Sequence, residues 1–111
     1  MVIAAIKRAA CAVLARRTLE AVFTHENAQG DSLMRKIENL IKSDRIPPLF
    51  AEMAHLARKI GNLGAHFADE TVTAEDVEVV PGFVEAILEY LYVIPAKVET
   101  VRNRLSKLPN L

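Results

Sequence analysis

Residues 54 to 66 read Ala54-His55-Leu56-Ala57-Arg58-Lys59-Ile60-Gly61-Asn62-Leu63-Gly64-Ala65-His66 and carry the strongest fold signal of the chain. Together with the residues before it, this stretch has the periodicity of an amphipathic helix. One stripe is apolar and is expected to face the core; it consists of Leu49, Met53, Leu56, Ile60 and Leu63. The other stripe is polar and consists of His55, Lys59, Asn62 and His66. Such a stripe can perform acid–base chemistry or bind a polar partner.

Length and composition indicate one domain with an aliphatic core. The chain has 111 residues, of which 51% are hydrophobic and 5% aromatic, so we predict a single domain over residues 1–111. Its formal net charge is zero, but residues 1–66 carry a net charge of +4 and residues 67–111 a net charge of −4. The neutral total excludes a generic polyanion binder, while the uneven distribution fits head-to-tail pairing or one basic face.

The single cysteine and the charges near the N-terminus both indicate the cellular compartment of the protein. The single cysteine, Cys11, has no partner for an internal disulfide, so nothing points to an oxidising compartment. Charges within the apolar N-terminal run, among them Lys7 and Arg17, exclude a transmembrane helix and a signal-peptide core. We therefore expect a cytoplasmic protein without a membrane partner.

Apolar periodicity predicts an all-α fold, a bundle of four main helices with a short C-terminal helix. We see no period-two alternation long enough for a sheet. The helices are expected at about residues 2–24, 33–43, 48–66, 74–94 and 98–105, with a polar loop at 68–72. The first helix begins at the initiator methionine without a visible cap, which suggests either a domain excised from a longer protein or an N-terminus that frays.

Caps and breakers set the expected helix ends. Asp31 or Ser32 is expected to cap the second helix. Pro48 suits the first turn of the third helix, and Thr73 is a good cap for the fourth. Pro81 is expected to kink or split the fourth helix, and Pro95 to kink or end it.

Inward faces are predicted for the first and fourth helices as well. The first has an apolar stripe formed by Val2, Ile6, Ala9 and Val13. Arg17 and Glu20 follow on the same stripe, where they are spaced to pair with each other, either as a structural ion pair or as a polar shell beside the third helix. The fourth helix is expected to face inward through Phe83, Ile87, Tyr90, Leu91 and Ile94.

His66 is the best candidate for a chemical role, because histidine titrates near neutrality and can act as an acid, a base or a ligand. Asn62, one turn earlier, is placed to hold the imidazole in one tautomer or to cap the helix end. Arg58 and Lys59 can meet a phosphate. The alternative for each of these residues is a solvated position on the outer face of a helix.

No cofactor or metal is expected. His55 and His66 are three turns apart, too far to share one ion, and the sequence has no HExxH motif, no Cys/His cluster and no glycine-rich phosphate loop. Gly61 and Gly64, three residues apart, are typical of a helix that another helix approaches closely.

Four segments together resemble a bacterial family catalogued as domain of unknown function 4145. They lie in the expected order over nearly the whole chain, and they are Ala15–Glu20, Leu33–Ile37, Arg58–His66 and Leu91–Ala96. The Gly-Asn-x-x-x-His core of the third segment is fairly specific. The family is similar to the HEPN superfamily of helical bundles, so the resemblance implies a HEPN-like bundle.

The resemblance also implies a function. HEPN proteins are commonly homodimers, and many are metal-independent ribonucleases of toxin–antitoxin, phage-defence and RNA-processing systems. Their motif is an arginine, often a following asparagine, and a histidine, and two copies meet at the dimer interface. Such a site activates the RNA 2′-hydroxyl for attack on the adjacent phosphate, with histidine moving the proton and arginine stabilising the charge.

Asn62 and His66 match that motif, but the arginine does not, because its place is taken by Gly61. Arg58 lies one turn earlier, and Lys59 lies nearer the His66 face. We therefore expect a HEPN-like module that dimerises or binds RNA, with weak or no catalysis, as part of a larger defence protein or with an operon partner. The alternatives are a metal-independent endoribonuclease using His66, Asn62 and Arg58, and a plain helical scaffold; Lys59, His55, Arg17 and Glu20 are the candidate binding residues.

Overall fold

The computed structural model describes residues 2–66 and 72–110, and these form helices joined by short turns. The elements are α1 (Val2–His25), α2 (Leu33–Lys42), α3 (Pro48–Ala65), α4 (Ala74–Leu88), a π-helical segment (Glu89–Val93) and α5 (Ile94–Leu105). No strand occurs within those two ranges. The all-α class is therefore confirmed, while most of the loop predicted over 68–72 lies outside the described residues.

The helix starts follow the local sequence signals. The side chain of Ser32 accepts a hydrogen bond from the backbone N–H of Arg35, which makes it the cap of α2. Pro48 is the first residue of α3. Thr73 and Asp76 form a reciprocal capping box at the start of α4, with distances of 3.0 and 3.1 Å. These three predictions are confirmed.

The centre of the bundle is the contact of α1 with α3, and it is made of small side chains. From α3 the buried residues are Ala51, Ala54, Ala57, Gly61 and Gly64. The predicted core-facing stripe of α3 is wrong for its leucines, since Leu49 is 62% exposed, Leu56 43% and Leu63 39%. The physical reason is that alanines on α1 and alanines and glycines on α3 let the two backbones come close, which turns the larger side chains outward.

The inward face of α1 also differs from the prediction. Its buried residues are Ala5, Ala9, Ala12, Ala15, Leu19 and Phe23, so of the predicted stripe only Ala9 is buried. Val2 and Ile6 are exposed. Phe23 and Leu19 are fully buried together with Ile37, Leu40 and Ile87, which makes one continuous core with α2 and α4. Each such side chain contributes about 1.5–3 kcal/mol through its burial.

Pro81 and Pro95 do not end a helix. Pro81 lies inside α4, which remains one helix and buries Val80, Val84 and Ile87. Before Pro95 the chain widens into the π-helical segment, where the N–H of Ile94 donates to the carbonyl of Glu89. A π turn accommodates a proline that has no N–H and whose ring crowds the preceding turn. Of the two outcomes predicted for Pro95, a kink or a helix end, the helix end is wrong, because α5 continues through Pro95. The predicted inward position of Ile94 is also wrong, since Ile94 is exposed.

The molecule is elongated, 64 × 28 × 20 Å, because α5 projects from the bundle. All residues of α5 are exposed, and within the described part of the chain its main neighbour is the π-helical segment. That segment is fixed to the bundle by Tyr92, whose hydroxyl donates to Glu26 Oε2 at 2.8 Å. Arg45 donates to the other oxygen of the same carboxylate.

Candidate functional site

The candidate site lies along α3, where α1 crosses it over two glycines. A Cβ added to Gly61 would lie 2.5 Å from the Arg16 Cβ, and one added to Gly64 would lie 2.7 Å from the Ala9 carbonyl oxygen. Real Cβ atoms do not approach so closely, so both positions require glycine for the helices to pack as they do. The predicted close approach at Gly61 and Gly64 is confirmed.

Arg16 belongs to the candidate site, but it was not among the site residues predicted from the sequence. Its Nη1 donates to Asn62 Oδ1 at 2.8 Å, and its side chain passes over Gly61, since an added Cβ there would also lie 3.1 Å from the Arg16 Cδ. Its Nε lies 3.6 Å from Glu20 Oε1. Glu20 therefore pairs with Arg16 rather than with Arg17. The i, i+4 spacing of Arg16 and Glu20 was the available signal.

Arg17 is exposed and does not contribute to this cluster. It borders two surface depressions of α1. One is polar and lined also by Glu20, Thr24 and Lys36, and the other is apolar and lined also by Val13. The charge of Arg17 is thus available to a partner that approaches α1 from outside.

Asn62 and His66 are both exposed, one turn apart at the end of α3. Among the described residues, no hydrogen bond joins their side chains. The Asn62 side-chain oxygen accepts the hydrogen bond from Arg16, so the amide N–H groups of Asn62 can donate to a ligand. The backbone N–H of His66 donates to the Leu63 carbonyl at 3.0 Å, so His66 is the residue that ends the helix.

His55, Arg58 and Lys59 line a separate cleft beside α2, together with Ile41 and Glu52. The Arg58 Nε is buried and makes no hydrogen bond within the described part of the molecule. The structure thus brings His55, Arg58 and Lys59 together in one cleft, whereas Asn62 contacts Arg16 of α1. The predicted polar stripe of α3 is therefore divided between the α2 side and the α1 side of the helix.

The pKa of His55 is lowered from its ordinary value of 6.5. Burial is the largest cause, and Arg58 and Lys59 add to it, while Glu38 opposes it. The unfolded chain therefore binds a proton more readily than the folded chain, so the free energy of unfolding is expected to fall as the pH drops below 6.5. Urea unfolding at about pH 8 and about pH 5.5 measures this difference. It should be smaller in His55→Gln; an unchanged difference would assign it to other groups.

Within residues 2–66 and 72–110, no three His, Cys, Asp or Glu side chains lie close enough to hold a metal ion. Over the same ranges, no helix is both long and apolar enough to cross a membrane.

The molecule is thus an all-helical bundle with a polar cluster where its first and third helices cross. A family model described as "Domain of unknown function (DUF4145)" matches residues 1–106, so the chain belongs to that family. No curated protein and no solved structure matches the chain.

Proposed function

We propose that this chain is a HEPN-like helical module that dimerises through α1 and binds RNA beside α3, without efficient cleavage. The observation that carries the proposal is the cluster of Arg16, Gly61 and Asn62. A HEPN-type site needs a free guanidinium next to Asn62, whereas Arg16 is held there by Asn62 at 2.8 Å and by Glu20 at 3.6 Å. Bacterial defence systems are the expected context of such a module.

RNA binding is supported by the basic residues on and beside α3. Lys59 and His66 are exposed, and Arg58 and His55 line the cleft next to Lys59. Lysine and arginine neutralise phosphates, and exposed histidine and asparagine side chains can hydrogen-bond to sugars and bases. A single-stranded segment suits this surface, since its backbone can follow a row of separate cations.

Dimerisation is supported by an apolar surface on α1. Ile3 is 70% exposed, Leu14 68% and Ile6 46%, and Ile6 and Leu14 also line a groove on α1. Exposed apolar patches of this kind are typical of protein–protein contacts. A twofold pairing of α1 would bring two copies of the α3 site near one interface.

The alternative function is a metal-independent endoribonuclease. His66 and Asn62 would then act at the dimer interface, and Arg16 would release Glu20 to stabilise charge on the phosphate. Attack by the RNA 2′-hydroxyl needs a proton acceptor and charge stabilisation. In this arrangement His66 would accept the proton, the Asn62 amide would hydrogen-bond to the substrate, and the Arg16 guanidinium would stabilise the charge.

RNA binding and cleavage are tested together on the purified chain with mixed labelled single-stranded RNAs in EDTA. We expect binding, measured by fluorescence anisotropy, that weakens with salt, and no cleavage. Lys59→Ala should reduce the slope of log affinity against log salt by about 0.7, the value for one contact to a single strand. Lys107→Ala, an exposed lysine near the end of the chain, is the matched control and should leave the slope unchanged.

The outcomes separate the two functions. Cleavage by the wild type that disappears in His66→Ala would overturn the non-catalytic proposal in favour of the ribonuclease. Equal losses of binding in Lys59→Ala and Lys107→Ala would show that RNA is held by charge alone.

Dimerisation is tested by sedimentation equilibrium. Leu14→Lys should weaken the dimer at least about tenfold, because it places a charge in the apolar surface of α1.

A further inference from the structure

The projecting helix α5 and the turn after it present an apolar stripe that nothing in the described part of the chain covers. Its members are between 40% and 54% exposed, and they are Ile94, Val98, Val101, Leu105 and Leu108. Their spacings of four, three, four and three are those of a coiled-coil seam. Ile87, seven residues before Ile94, is fully buried, so the seam begins where the chain leaves the core.

The seam is narrow, which indicates the kind of surface that covers it. Only the two seam positions of each heptad carry large apolar side chains on α5, and the adjacent positions carry Lys97, Arg102 and Arg104. A stripe of this width fits one other helix, whereas a helix that lies on a membrane or on a globular core has a broader apolar face.

The charges beside the seam argue against a second α5. Because Lys97, Arg102 and Arg104 are all cationic, both a parallel and an antiparallel pair would place cations against cations. Glu99, the only carboxylate of α5, lies outside the seam and pairs with Arg102 at 2.7 Å.

The acidic face of α4 in a second copy does not suit the seam either. Residues 72–94 carry five carboxylates and no lysine or arginine, so the charge would be complementary. Val79 is, however, the only large hydrophobic residue of α4 that is exposed, and one valine does not make a facing seam.

We propose that α5 is a docking helix for a partner helix that has its own heptad seam flanked by aspartate or glutamate. Such a partner covers the five apolar side chains and pairs with the cations on both edges. It also stabilises α5, which at this length is marginal in water without tertiary contacts. The surface lies on a different helix from the proposed RNA site and does not depend on it.

The probe is a synthetic peptide of about three heptads with leucine or isoleucine in the seam and glutamate at the flanking positions. Binding of the labelled peptide to the full chain is followed by fluorescence anisotropy. We expect saturable binding that is at least about tenfold weaker for the same peptide with lysine at the flanks. Val98→Lys should weaken it by at least about tenfold, because it places a charge in the seam.

Thr100→Lys is the matched control, because it adds the same charge to α5 outside the seam and should change the affinity by less than about twofold. Both positions are exposed, so circular dichroism and urea unfolding should match the wild type. Equal binding of both peptides, or no binding of the glutamate peptide, would overturn the proposal.

Two further results would replace the proposed partner with another occupant. Self-association that is lost in Val98→Lys but kept in Leu14→Lys would make the occupant a second copy of the chain. Binding to vesicles of anionic lipid that Val98→Lys abolishes, with no binding of either peptide, would make it a membrane surface.

Discussion

Phe23→Ala is expected to lower the free energy of unfolding by about 3–5 kcal/mol. Phe23 is fully buried near the C-terminal end of α1 and belongs to the same core cluster as Leu19, Ile37 and Ile87. Removing the ring leaves a cavity that this core cannot close, because its neighbours come from three different helices. Domains are stable by only about 5–15 kcal/mol, so this loss should lower the urea midpoint of the variant well below that of the wild type.

Urea unfolding followed by circular dichroism measures this loss, and Leu14→Ala is the control. Leu14 lies on the same helix but is 68% exposed, so its truncation should change the stability of the monomer by no more than about 0.5 kcal/mol. Similar losses in the two variants would contradict the assignment of the buried face of α1. The comparison is made at low protein concentration, because Leu14 belongs to the proposed dimer surface.

Gly64→Ala is expected to lower the free energy of unfolding by about 1–2 kcal/mol, although alanine is the better helix former by about 1 kcal/mol. The new Cβ would lie 2.7 Å from the Ala9 carbonyl oxygen and 3.0 Å from the Ala12 Cβ. A backbone oxygen cannot turn aside as a flexible side chain can, so α1 and α3 must move apart. That movement loosens the whole interface between the two helices.

Gly82→Ala is the matched control for this substitution. Gly82 is also inside a helix, and an added Cβ there meets nothing within 4 Å. The same change should therefore raise the free energy of unfolding by about 0.5–1 kcal/mol. Urea unfolding should therefore show that the same substitution lowers the free energy of unfolding at position 64 and raises it at position 82. A gain in stability from both variants would contradict the close packing of α1 against α3.

The candidate site combines residues that are close in sequence with one that is distant. Asn62 and His66 could be selected from α3 alone, because their residue types and spacing are local facts. Arg16 could not, because it is 46 positions away from Asn62 in the chain and reaches it only after α1 has packed on α3. The pairing predicted for Arg17 with Glu20 was wrong for a related reason: both arginines are within reach of that carboxylate, and the packing of α1 brings Arg16 to it.

The order of residues along the chain was enough to establish the helical class, the helix starts at Ser32, Pro48 and Thr73, and the family to which the chain belongs. These features depend on neighbouring residues, so they can be read from short windows. Which faces of α1 and α3 are buried became known only from the packing of the helices. Hydropathy favoured Leu56 and Leu63 for the core, yet α3 packs on α1 through Gly61 and Gly64, because the two backbones are so close there that even a Cβ atom does not fit between them.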